Sequence, residues 1–172
     1  KINTTSNNTK FNVNVTSQTT NNKTVNITAK SNIPNEVIDG KLLFILPNSE
    51  EISANYGGNG TWWAVHTFDD CGVYEVNASY IGLDGVIINN ATISIRYDAS
   101  VDVNNKTLDL LVGDTFTIVA TTTPKGLNVT YVPDDSGVYD VDKSGVVTAL
   151  KNGTGSVLVK IGGDGVYAEN ST

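Results

Sequence analysis

The chain has 172 residues, with 18 acidic side chains against 11 basic ones, a net charge of −7, one Cys, one His and no Met. That balance argues against a nucleic-acid partner, since phosphate binding needs clustered cations, and a lone Cys71 excludes an internal disulfide framework. No apolar run approaches the roughly 20 residues of a membrane span, so no membrane contact is expected within this stretch.

Asn and Thr, 21 of each, dominate the polar positions, and ten of the 11 cations are Lys. A start at Lys1 with no Met anywhere reads as a piece of a longer protein. Residues 1–9 are polar and are expected to be a flexible start. From there apolar and polar residues alternate with period two, the pattern of strands with one buried face. Strands are expected at 11–15, 25–27, 41–46, 51–55, 61–67, 73–80 and 86–95. Turn chemistry separates them: Ile33-Pro34-Asn35, Gly57-Gly58-Asn59-Gly60 and Asp84-Gly85. Seven short strands in about 90 residues is the count of an immunoglobulin-like sandwich.

Asp70-Cys71-Gly72-Val73-Tyr74 has the form of a tyrosine corner, in which the Tyr hydroxyl reaches back to the backbone at the start of a strand. Cys71 falls inside that corner. With no base nearby in sequence, it reads as a small space-filler rather than a nucleophile.

Tyr97-Asp98-Ala99-Ser100 interrupts the alternation, which places a domain boundary between 97 and 98. A linker of about four residues is at the short end of ordinary connections and favours an extended pair of domains. The second unit, 98–172, is expected to place strands at 101–103, 107–112, 115–122, 128–132, 138–141, 146–150 and 156–161. Its stretch Asp140-Val141-Asp142-Lys143-Ser144-Gly145 looks like the start of a calcium loop, but position 12 counted from Asp140 is Lys151, where such a loop needs a bidentate Glu. A hairpin accounts for it instead. Val141 then faces Val147, Tyr139 faces Ala149 and Asp140 faces Thr148, with Gly145 taking a positive φ in a bulged turn. No metal and no cofactor are expected.

Leu111-Val112-Gly113-Asp114-Thr115, Thr121-Thr122-Thr123-Pro124, Val141-Asp142-Lys143-Ser144-Gly145-Val146-Val147-Thr148-Ala149 and Gly153-Thr154-Gly155-Ser156-Val157-Leu158-Val159 follow one another with a recognisable spacing. Across 101–161 they resemble the group 2 bacterial immunoglobulin-like domain of intimin- and invasin-type surface proteins, with Tyr131 where that family has a Trp. The first unit, with Gly60-Thr61-Trp62-Trp63 and Tyr74-Glu75-Val76-Asn77-Ala78-Ser79-Tyr80, is similar to Ig-like repeats of adhesin-like proteins from methanogenic archaea. These resemblances imply two tandem immunoglobulin-like β-sandwich domains in an extracellular, cell-surface stalk or adhesin, with no catalytic residues to carry over.

The family's last hairpin ends in a closing strand, and here the chain stops at Thr172 where that strand should begin. The expectation is a second domain with an open edge at 156–161 and some tendency to self-associate through it.

Nothing in the sequence assembles an enzyme. No HExxH, CxxC, GxSxG or phosphate-binding glycine loop occurs. His66 shares its strand face with Trp62, Ala64 and Phe68, which suits a partly buried side chain. Twelve Asn-x-Ser/Thr sequons stand at Asn3, Asn7, Asn14, Asn22, Asn26, Asn59, Asn77, Asn90, Asn105, Asn128, Asn152 and Asn170. They fit N-glycosylation of an exported protein. Strand alternation also inflates their number, because positions i and i+2 share the solvent face.

Trp62 and Trp63 are strand neighbours and must point to opposite faces. Trp62 is assigned inward with Ala64 and Phe68, Trp63 outward. Trp63, with Asn59 in the neighbouring turn, is therefore the candidate contact for a surface glycan or a protein of another cell, or else it packs under the glycine loop. Two alternatives to the adhesin remain at this point: an accessory module of a secreted polysaccharide-degrading enzyme, and a surface-layer structural protein.

Overall fold

The computed structural model describes residues 10–163 and 165–172; the start at 1–9 and the sequons at Asn3 and Asn7 lie outside the described residues. The chain is all-β and divides into two compact units, Lys1–Ile95 and Arg96–Thr172, each an immunoglobulin-like β-sandwich. The division falls two residues before the expected boundary. Tyr97 is already part of the second unit, donating its N–H to the Val166 carbonyl at 2.8 Å and accepting from the Ala168 N–H at 2.8 Å.

The first unit contains β1 (Asn12–Val15), β2 (Gln18–Thr20), β3 (Thr24–Ser31), β4 (Lys41–Ile45), β5 (Glu51–Ser53), β6 (Asn55–Gly58), β7 (Thr61–Thr67), β8 (Gly72–Ile81), β9 (Ile87–Asn89) and β10 (Ala91–Ile95). One sheet runs β6-β7-β3-β1-β9 and the other β2-β10-β8-β4-β5. Two expected strands are split, 51–55 at Ala54 between β5 and β6 and 86–95 at Asn90 between β9 and β10, and β2 is an unexpected strand. The chain breaks at 16–17 and again at Asn90, and at each break it crosses from one sheet to the other. As a result β1 lies parallel to β9, and β2 lies parallel to β10.

Alternation sets what lies between the sheets. Ile27, Leu42, Phe44 and Ile93 are fully enclosed, each worth about 1.5–3 kcal/mol relative to exposure. Trp62 fills the space beneath β6 and β7, 4.8 Å from the Tyr56 ring and edge-on to Tyr80 at 5.9 Å. Its indole N–H is satisfied by the Ser31 hydroxyl at 3.0 Å. The tyrosine corner is formed, with the Tyr74 hydroxyl donating to the Asp70 carbonyl at 2.6 Å. The β6–β7 hairpin closes through Asn59-Gly60, both at positive φ (50° and 71°), as a two-residue hairpin turn requires. Gly60 is also confined by space, since a Cβ there would lie 2.1 Å from the Ser31 carbonyl oxygen.

The second unit contains β11 (Ser100–Val103), β12 (Thr115–Thr117), β13 (Ala120–Thr123), β14 (Val129–Pro133), β15 (Tyr139–Val141), β16 (Val146–Ala149), β17 (Val157–Ile161) and β18 (Asn170–Ser171). They form the sheets β11-β13, β12-β16-β15 and β14-β17-β18. The β15–β16 hairpin has the register the sequence predicts, with Tyr139 opposite Ala149, Asp140 opposite Thr148 and Val141 opposite Val147. Gly145 sits at φ 84° in its turn.

Three expectations for this unit are corrected. Residues 107–112 form no strand. The Leu111 N–H bonds the Asp114 carboxylate and the Leu111 carbonyl accepts from the Asp114 N–H, so a turn takes the groups of Leu111 that a ladder would need, and Leu111 stands 77% exposed. The expected strand at 115–122 breaks at 118–119, where the Asn104 side chain accepts from the Val119 N–H and donates to the Thr117 carbonyl. That bridge lets the chain leave β16 and join β11. Finally, the closing strand is present. β18 pairs antiparallel with β17, Ile161 opposite Asn170 and Lys160 opposite Ser171, and Val159 and Thr172 exchange two backbone bonds of 2.9 and 3.0 Å. The last three residues thus supply the partners that the end of β17 needs. The open edge shrinks from the whole of β17 to its start at Val157.

Candidate functional site

The outer face of the β6-β7-β3-β1-β9 sheet is where the sequence placed its contact residue. Trp63 is 38% exposed and Trp62 only 3%, as alternation on β7 demands. One edge of the Trp63 ring lies across β6, where Gly57 has no side chain; a Cβ there would be 3.6 Å from Trp63 Cδ1. The two readings of Trp63 thus both describe part of it: the ring rests on the glycine strand and still presents a face to solvent.

Register extends the face. Trp63 stands opposite Thr28 on β3 and opposite Asn55 on β6, while Val65 stands opposite Asn26. Val65 is 59% exposed, and its parity with Trp63 was the signal in the sequence that could have found it. Beyond them, Lys30 faces both Thr61 and Asn14, and Asn14 faces Asn89. Lys30 Nζ donates to the Thr61 hydroxyl at 2.5 Å, and the Asn89 amide donates to Asn14 Oδ1 at 2.6 Å. Face chemistry is therefore an apolar pair set among amides and hydroxyls.

Asn59 does not join this surface as a ladder partner; it occupies the tip of the β6–β7 hairpin, exposed. Asn22, Asn77, Asn90, Asn105, Asn128 and Asn152 are also exposed, while Asn170 is half-buried in β18, its amide oxygen accepting the Val101 N–H at 3.4 Å. Asn90 donates to the Glu75 carboxylate. His66 is half-buried, edge-on to Phe68 at 4.7 Å, and Cys71 packs against the first core.

In the second unit the chemistry-bearing groups are committed to turns. Asp142 Oδ1 accepts from the Ser144 and Val146 N–H groups at 2.8 and 2.9 Å. Asp134 accepts from Ser136 (N–H 3.1 Å, hydroxyl 2.5 Å) and from Ser156 (N–H 2.6 Å, hydroxyl 3.3 Å). These bonds, the Ser136 hydroxyl first, hold the Asp134 carboxyl below its ordinary value of 3.8. A cleft of about 610 Å³ opens beneath 105–110, lined among others by Leu108, Leu110, Val157 and Thr172.

No family model matches the chain, and no curated protein matches it. Among solved structures, a Corynebacterium diphtheriae protein named as membrane anchored is similar at 10% identity and a TM-score of 0.36, covering 88% of this chain and 54% of its own. The full ectodomain of mouse nectin-like molecule 4, Ig1–Ig3, is similar at 12% identity and a TM-score of 0.30, covering 93% of this chain and 61% of its own. The chain spans less than two thirds of the length of either.

Proposed function

We propose that the chain is part of a non-enzymatic, extracellular stalk in an adhesin-type protein of a prokaryotic cell surface, spacing a contact region from the cell and carrying the tension between them. The observation that supports this is the pairing of first with last strands. In the first unit β1 runs parallel to β9 over Asn12–Asn14, and β2 runs parallel to β10 over Ile93–Ile95. In the second, Tyr97 forms a parallel bridge to Tyr167. Tension on the ends of a unit drags parallel terminal strands past one another. The bonds are then loaded together in shear, whereas an antiparallel terminal pair would peel one bond at a time. The resemblance of 101–161 to the group 2 bacterial domain, and of the first unit to methanogen repeats, supports the same reading.

Single-molecule pulling tests it. Drawn apart by its ends, the first unit should hold to a far higher force than when one end and the hairpin tip at Asn59 are pulled, and the second unit, with a single bridge, should yield first. Equal forces in the two geometries would sink the tension-bearing role.

A second reading, contact with a glycan or protein of another cell, is favoured by the exposed Trp63 and Val65 pair. Loss of whole-cell binding by a stably folded Trp63→Ala variant would support it.

A further inference from the structure

We propose that the outer face around Trp63 is covered by the chain's own N-linked oligosaccharide, attached at Asn26. The inference rests on the extracellular reading, because the modification belongs to exported chains. It differs from the contact reading in naming an occupant that arrives before any partner does.

Register carries it. In the sequon Asn26-Ile27-Thr28, Ile27 points into the core with no exposure, so both reacting positions stand on the outer face of β3. Asn26 lies directly opposite Val65, and Thr28 directly opposite Trp63. Directly paired side chains in a sheet sit about 5 Å apart and diagonal ones about 7–8 Å apart. A sugar on Asn26 therefore starts beside Val65, with the Trp63 ring on the diagonal. A pyranose has one face of axial C–H groups, and an indole offers those hydrogens the negative face of its ring. The apolar pair that water would otherwise meet is thus matched by the apolar side of the first sugars.

The functional groups are also free. Neither the Asn26 side-chain amide nor the Thr28 hydroxyl has a hydrogen-bond partner among the described residues; the bonds at these positions go to the backbone, the Asn26 carbonyl accepting from the Gln18 side chain and the Thr28 carbonyl from the Thr16 N–H. Other sequons on strands differ. The Asn14 amide is paired with Asn89, the Asn77 amide oxygen is taken by the Ala78 N–H, and Asn170 is half-buried. Asn59, Asn105, Asn128 and Asn152 stand outside the strands, with no aromatic across a ladder.

The step is a glycosyl transfer with a lipid-phosphate-linked oligosaccharide as donor. The Asn26 side-chain nitrogen bonds the anomeric carbon, the bond from that carbon to the phosphate oxygen breaks, and the lipid phosphate leaves with the electron pair. The amide nitrogen gives up one proton to the transferase's base, and nothing is oxidised.

The test is to secrete the full chain from a eukaryotic cell line that adds N-linked oligosaccharide, map occupancy by glycopeptide mass spectrometry, and measure acrylamide quenching of tryptophan fluorescence. Trp62 is buried, so the quenchable emission reports Trp63. Asn26 should be occupied, and the quenchable fraction should be lost in the glycoform and return after enzymatic removal of the oligosaccharide. Asn26→Gln should keep Trp63 quenchable while sugars at other sites remain. The proposal fails if Asn26 is vacant, whether or not other sequons are filled, or if it is occupied with quenching unchanged. Labelling intact cells of the source with a membrane-impermeant amine reagent tests the extracellular reading separately. Labelled chain with a vacant Asn26 overturns only the glycan, and unlabelled chain overturns the location.

Discussion

Trp62 and Trp63 are chemically identical and adjacent, yet the pleat of β7 gives them opposite surroundings, one enclosed by Tyr56 and Tyr80 and the other half in water. Trp62→Ala should cost about 3–5 kcal/mol in denaturant unfolding of the first unit, through a cavity and an orphaned Ser31 hydroxyl. Trp63→Ala should stay within about 1 kcal/mol; the reverse order would mean the faces are misassigned. Gly145 is a stricter position than its turn alone requires. Its φ of 84° disfavours any side chain, and a Cβ would lie 2.6 Å from Tyr131 Cζ and 2.8 Å from the Ile118 carbonyl oxygen. Gly145→Ala should lower the melting temperature of the second unit more than Asp142→Ala, which removes two turn bonds worth about 1 kcal/mol each. Because Asp142 is satisfied by backbone N–H groups, a chelator should leave melting unchanged, and a rise of several degrees on adding calcium would restore the metal reading. Asp134 gives the pH dependence. Its folded value lies below the unfolded one, so its contribution is present above pH 3.8 and is lost as pH falls through the lower folded value. Asp134→Asn should flatten the fall in the second unit's urea midpoint as the pH drops below 3.8.

At the scale of elements, β17 and β18 show how short a strand can be and still close an edge. The Val159 N–H points to the β18 side, where it meets the Thr172 carbonyl. By the period of a strand the Val157 N–H points the same way, and there it faces the cleft. Hydrogen exchange in a dilute monomer should therefore find Val159 protected and Val157 fast. Equal, fast exchange at both would mean that β18 does not hold in solution. The crossings at 16–17 and at Asn90 matter in the same way. They cost the first sheet-forming strand its continuity, and they yield two parallel ladders where a continuous strand would have given one.

Across the whole molecule, the two sandwiches differ in how much core they close. Among the described residues, 18 buried apolar side chains cluster in the first unit and five in the second, and apolar burial is the main term favouring folding. Heating should give two transitions, the second unit melting first, since each unit has its own core. Phe44→Ala should lower only the later transition, by about 3–5 kcal/mol, and Val159→Ala only the earlier one. A single transition shifted by both substitutions would show that the units fold as one.

Strand alternation, the tyrosine corner, the outward Trp63 and the 139–149 hairpin were all legible in the amino-acid order, because period two and turn chemistry act over a few residues. The tertiary structure alone decided the rest. Asn90 does not announce a sheet crossing, since the crossing is fixed by which strand of the other sheet lies within reach. Residues 107–112 read as a strand and form none, and Asp114 takes both backbone groups of Leu111 in a turn. The last three residues pair with the end of β17, a matter of where the chain returns in space rather than of their own order. That Asn26 and Thr28 face Val65 and Trp63 depends on the register of β3 against β7, strands separated by some 30 residues. Local sequence sets which face a side chain takes; only pairing sets what it faces.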